Sequence, residues 1–206
     1  MGCAPSHRRT LFSRRKPDIN NNDEPDEVDK VLIMESWTKL KKDRGYANIG
    51  TEIFYRILIQ GVDYRKLWNL GGVEIADLRR HVILDTHGKV MRDELNRLLH
   101  IWSTPKNGNT LLVRSAHKLG ADHYERLKKH RFSASMWQTF PSIMLEVMAP
   151  YCDNVPASHG KEEVLAAWWR FCVHLIYLLQ RGWEESAKND RAETRETNVE
   201  HAEDLW

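Results

Sequence analysis

LDTHGKVMRDELNRLLHIW, residues 84–102, decides how the rest of the chain is read. Leu84, His87, Met91, Leu95, Leu98 and Trp102 recur in it at spacings of three, four, four, three and four. Residues three and four apart share one side of an α-helix, so this is an apolar stripe with a histidine in it. The pattern predicts one long helix from near residue 75 to 102. Downstream, Leu112, Ala116, Leu119, His123 and Leu127 repeat the period at spacings of four, three, four and four, again with a histidine on the apolar side. Pro105 to Asn109 breaks the chain between the two.

The same period continues on either side. A first helix near 26–43 places Ile33, Trp37 and Leu40 together, and a second near 47–60 stacks Ile53 on Ile57 and Phe54 on Leu58. A turn-rich corner holds Leu67 and Trp68 and stops at Gly71-Gly72. A helix near 134–151 carries Trp137, Phe140, Met144, Val147 and Tyr151, with a kink expected at Pro141. The last, near 160–186, carries Leu165, Trp168, Cys172, Leu175 and Leu179. No repeat and no sustained alternation of period two interrupts this, so the fold class is all-α, with six to eight helices.

Composition divides the 206 residues into one domain and two flanks. Residues 1–25 are expected to be a flexible tail, basic at Arg8, Arg9, Arg14, Arg15 and Lys16 and acidic from Asp18 onward. Residues 26–186 form the helical domain, and 187–206 read as a disordered, mostly acidic tail. A formal net charge of +2 gives no support to nucleic-acid binding. No apolar run approaches the ~18 residues of a transmembrane helix, and the first 16 residues lack the apolar region an export signal needs. Cys3, Cys152 and Cys172 are too scattered for a disulfide framework or a zinc module. Asp18, Asn20 and Asn22 imitate the start of a calcium loop, but Asp23 stands where glycine is required.

His87 and His123 therefore sit where the helical period demands burial. An imidazole among leucines needs a partner, because an unpaired buried polar group costs a few kcal/mol. One explanation is a pair of core histidines bonded to backbone carbonyls. The other is two imidazoles on facing helices that flank a planar metal cofactor, histidine being the commonest metal ligand. Among neighbouring histidines, His117 is off the stripe, His130 follows Lys128-Lys129, and His81 has Asp85 four residues on, so His123 and His87 are the candidates.

Three segments in order carry a resemblance. Ser36-Trp37-Thr38-Lys39-Leu40 looks like the first-helix tryptophan motif of the globin family. His87-Gly88-Lys89-Val90-Met91, with Leu84 one turn earlier, resembles its distal-histidine helix, and Leu119-Gly120-Ala121-Asp122-His123 resembles its proximal Leu-x-x-x-His motif. The likeness spans about 26–186 and is nearest in kind to neuroglobins, globin X and nematode-type globins. It implies a globin fold around haem b, with His123 as the proximal iron ligand and His87 as the distal histidine, either a second ligand or a hydrogen-bond donor to a gas. Phe54, Trp68, Leu84, Met91, Leu119, Phe132 and Trp137 would line the pocket. Two features depart from the family pattern: Trp68 stands where phenylalanine is usual at the corner, and His87 and His123 are 36 residues apart, a wide spacing.

Met1-Gly2-Cys3-Ala4-Pro5-Ser6 fits the N-myristoylation pattern through Gly2 and Ser6, with Cys3 adjacent for palmitoylation. One acyl chain binds membranes only marginally, so the second chain and the basic cluster would complete an anchor. Together these features imply a globin held at the cytoplasmic face of the plasma membrane. It would bind dioxygen or another small gas and serve redox signalling, electron transfer with an unidentified redox partner, or gas sensing through a bis-histidyl iron. A five-coordinate oxygen store and a haemless, membrane-anchored adaptor are the alternatives; any enzymatic activity would be haem redox chemistry.

Overall fold

The computed structural model describes residues 24–130, 132–152 and 159–203, with side chains as far as residue 192. Gly2, Cys3, Ser6 and the basic cluster lie outside the described residues, as does the Asp18–Asn22 segment. Among the described residues there are helices and turns and no strand, and the all-α class is what the structure has. Eight α-helices follow one another: α1 (Glu27–Lys41), α2 (Ile49–Leu58), α3 (Val62–Lys66), α4 (Ile75–Leu78), α5 (Val82–Trp102), α6 (Gly108–Leu127), α7 (Phe140–Met148) and α8 (Lys161–Glu203). Short 3-10 turns at Arg44–Asn48, Ala134–Thr139 and Ala149–Tyr151 adjust the corners. No described helix is long and apolar enough to cross a membrane.

Local chemistry sets the ends. Asp26 caps α1 by accepting from the Asp29 backbone N–H at 2.8 Å, while the Asp29 carboxylate accepts from the Asp26 N–H. The long helix expected from residue 75 starts instead at Val82, because His81 is extended and its Nδ1 accepts from the Ile83 N–H. Residues 75–78 form the separate turn α4. Pro141 does not kink a helix: it sits in the first turn of α7, where a missing N–H costs nothing. At the other end α8 runs through the boundary expected near 186 and on to Glu203, so the segment read as a disordered tail is helical over most of its length. Its first added turn is tied to α6, with Asp190 accepting from the Tyr124 hydroxyl at 2.8 Å and from Lys128 Nζ at 3.0 Å.

The main core lies between α1, α2, α5, α6, α7 and α8. Trp37, Trp102 and Trp168 are at most 1% exposed. Each indole N–H still finds an acceptor: Asn96 Oδ1 at 3.1 Å, Asn109 Oδ1 at 2.9 Å and Ser36 Oγ at 2.9 Å respectively. A second, smaller cluster joins Phe54, Leu58, Leu70, Leu78 and Leu84. Asp29, buried on α1, forms an ion pair with Arg170 of α8. Cys152 and Cys172 are buried, with no disulfide between them.

Two helix crossings are too close for any side chain. A Cβ on Gly50 of α2 would lie 1.9 Å from the Gly88 carbonyl oxygen of α5. Where α6 meets α8, a Cβ on Gly120 would lie 2.0 Å from Leu179 O, and one on Gly182 would lie 2.0 Å from His117 O. Glycine inside a helix costs about 1 kcal/mol against alanine, so its use here reflects the contact it permits. These crossings bring α2 onto α5 and α6 onto α8, and the space they leave between α5 and α6 is the site.

Candidate functional site

A cavity of about 220 Å³ opens between α2, α5, α6, α7 and α8. His87 of α5 and His123 of α6 both line it. Of the seven residues expected to line a pocket, Phe54, Trp68, Met91, Leu119, Phe132 and Trp137 do so. Leu84 does not; it is 1% exposed and packs in the small cluster with Phe54 and Leu78. One turn before His87 on the same helix, it supports that wall from behind.

Each imidazole is held differently. His123 Nδ1 is 2.7 Å from the Leu119 carbonyl oxygen, which only accepts, so Nδ1 carries the proton and Nε2 keeps the lone pair. The indole of Trp137 stands edge-on to the same ring at 5.6 Å between centroids. His87 is gripped by aromatic rings, with Phe54 at 4.4 Å and Trp68 at 4.2 Å. Among the described residues nothing hydrogen-bonds either of its nitrogens. Trp68 thus serves as a wall for His87.

Burial lowers the basicity of both rings. His87 is depressed to about 4, first by desolvation and then by the neighbouring His123. Desolvation also lowers His123, against an opposing contribution from its bond to Leu119. Both are neutral at pH 7 and hold a lone pair, the form in which imidazole binds a metal.

The other polar groups of the cavity are already satisfied. Glu94 accepts from Arg97 Nε at 2.8 Å, and the Tyr64 hydroxyl donates to Met136 O at 3.2 Å. Thr139 Oγ1 donates to the same carbonyl at 3.1 Å. The remaining surface is leucine, isoleucine, methionine and aromatic. What the cavity leaves unmatched is His87 and Nε2 of His123. That set suits a flat apolar ring system carrying a metal at its centre, and haem fits the description. No group of three or more His, Cys, Asp or Glu side chains stands together among the described residues.

Tyr64, Glu94, Met136 and Thr139 are lining residues that periodicity passes over. Tyr64 belongs to a five-residue helix and Met136 and Thr139 to a 3-10 turn, neither long enough to show a stripe. Glu94 is on α5, but its charge argues for solvent until Arg97 is seen beside it. No family model matches the chain, and no curated protein matches it.

Proposed function

We propose that the chain is a haem protein of globin fold, anchored by acylation at the cytoplasmic face of a membrane, with His123 and His87 as the two residues that would hold the haem. The observation that carries this reading is the pair of neutral, buried imidazoles in a cavity whose other polar groups are satisfied. Bound haem would supply an iron for small gas ligands and for one-electron exchange. His123 would offer Nε2, its orientation and tautomer set by the Leu119 carbonyl. His87, steered by Phe54 and Trp68, would be the second residue to hold it or would meet a gas ligand. Leu95, Leu98, Leu175 and Leu179 would exclude water from the ring faces. Such a centre favours redox signalling, electron transfer or gas sensing over bulk oxygen carriage, and the Gly2–Cys3 motif with its basic neighbours would place it against anionic lipid.

Haem titrated into the haem-free full-length protein tests this. Tryptophan fluorescence should fall as a Soret band grows, both saturating at one haem per chain, since Trp68 and Trp137 wall the cavity. His123→Ala should weaken the binding by about tenfold or more. Titration without saturation, or identical binding by His123→Ala, would refute the reading.

A further inference from the structure

Aromatic rings run in contact from the cavity wall toward the surface. Trp137 lines the cavity, and Trp183 of α8 lies 5.8 Å from it between centroids, nearly perpendicular at 89°. Tyr124 of α6 lies 5.1 Å from Trp183. Phe132 packs between the two indoles, at 5.1 Å from Trp137 and 4.9 Å from Trp183. At the outer end the Tyr124 hydroxyl donates to Asp190 Oδ2 at 2.8 Å, and Lys128 Nζ donates to Asp190 Oδ1 at 3.0 Å.

Tryptophan and tyrosine are the aromatic side chains that lose one electron most readily. For tyrosine the loss is easy only when the phenol proton has a base to go to, because the oxidised phenol is a strong acid. Tyr124 has that base in Asp190, which its bonds to Tyr124 and Lys128 hold below the usual carboxylate range and therefore ionised. The same bond to Asp190 raises the Tyr124 phenol, which stays protonated until it is oxidised. Tyr64 is nearer, lining the cavity itself, but its hydroxyl faces the Met136 carbonyl and, at 3.5 Å, the Thr139 hydroxyl. Neither group takes up a proton.

Building on the haem reading above, we infer that Trp137, Trp183 and Tyr124 form a one-electron relay between the cavity and the surface, with Asp190 as the proton acceptor of Tyr124, delivering electrons to hydrogen peroxide reduced in the cavity. In each passage Tyr124 gives up one electron toward the cavity through Trp183 and Trp137. Its O–H bond breaks and the proton moves to Asp190, leaving a neutral phenoxyl radical and a carboxylic acid. A small one-electron reductant at the surface, such as ascorbate, returns the electron, and Asp190 returns the proton. Two passages, with two protons from water, convert one hydrogen peroxide into two water molecules. Tyr124 and the indoles act here as electron carriers and Asp190 as a positioning and proton-accepting residue.

Full-length protein loaded with haem, mixed with hydrogen peroxide and freeze-quenched, is read by electron paramagnetic resonance, with spin-trap adducts mapped by mass spectrometry. The expected signal is a tyrosyl radical that narrows with ring-deuterated tyrosine and traps on Tyr124. It should vanish in Tyr124→Phe, fall severalfold in Trp183→Phe, form more slowly in Asp190→Asn and survive in Tyr64→Phe. Each variant is checked for its Soret band and melting temperature, so a failure to fold is not mistaken for a lost relay. Photo-oxidation of tryptophan in haem-free protein gives a second readout, in which the radical should again settle on Tyr124. With the Soret band intact, a signal unchanged in Tyr124→Phe, an adduct on Tyr64 or no radical at all would overturn the relay and leave the haem reading standing. Absence of the Soret band in the wild type would overturn both.

Discussion

His123 is fixed through its Nδ1–H bond to a carbonyl one turn back on its own helix, so a change in that residue touches the site with little else at stake. His174 is the opposite case. It is 7% exposed, outside the cavity, with Nδ1 unpartnered and Nε2 3.9 Å from Glu24. Burial lowers its basicity, with Glu24 opposing in part. Unfolded, the same ring takes up a proton near 6.5. Below that pH the unfolded chain binds more protons than the folded one, so the contribution is full above 6.5 and is lost as pH falls through the lower, folded value. Denaturant titrations of haem-free protein at about pH 7 and about pH 5 should show lower stability in acid. The difference should shrink in His174→Leu. His87 and His123 add to the slope with the same sign, so the wild-type loss is shared among three rings. An unchanged slope in His174→Leu would show that the ring is already solvated.

At the scale of elements, the glycine crossings set how α2 meets α5 and α6 meets α8, and the buried ion pair ties α1 to α8. Gly50→Ala and Gly182→Ala force a methyl to within 1.9 and 2.0 Å of backbone oxygens respectively, where overpacking costs about 1–3 kcal/mol or more. Thermal melts should fall by several degrees in both. Gly50→Ala should also disturb the His87 wall, because α2 would be pushed off α5, whereas Gly72→Ala, with open space around it, should leave the melt unchanged. Asp29→Ala strips the buried carboxylate from both the α1 cap and Arg170. The loss should be about 2–4 kcal/mol in equilibrium unfolding, since a cap and a charge partner go together. The stripes of α5 and α6 were legible in residues 84–102 and 112–127, because a 3.6-residue period leaves a direct mark on long amphipathic segments. The start of α5 was not: His81 acts through a bond to the backbone N–H two residues on, a geometry that no period records. Pro141 was read as a kink because proline is neutral in the first turn and disruptive further in, and the 3-10 turn before it hides where the first turn lies.

For the whole molecule, most of the lining was legible because buried aromatic positions and a cavity wall draw on the same stripe. Leu84 packs against Phe54 and Leu78 and does not line the cavity, because a stripe names a buried side without saying whether a neighbouring helix or empty space lies against it. Tyr64 and Thr139 reach the cavity from short elements far off in sequence, which only the packing discloses. The extension of α8 was likewise hidden, since its polar composition matches a solvated tail as well as a solvated helix. The proposed anchor is independent of the fold. Gly2→Ala should release the protein from vesicles and cell membranes into the soluble fraction while leaving its haem titration and melting temperature unchanged; retention on membranes would remove acylation from the account. The most direct test of the central claim is the absorption spectrum of dithionite-reduced, haem-loaded full-length protein, recorded for the wild type and His87→Leu. Two imidazoles on one iron predict sharp paired visible bands in the wild type that are lost in His87→Leu. A wild-type spectrum already five-coordinate, or paired bands that persist without His87, would contradict the pairing of His87 with His123.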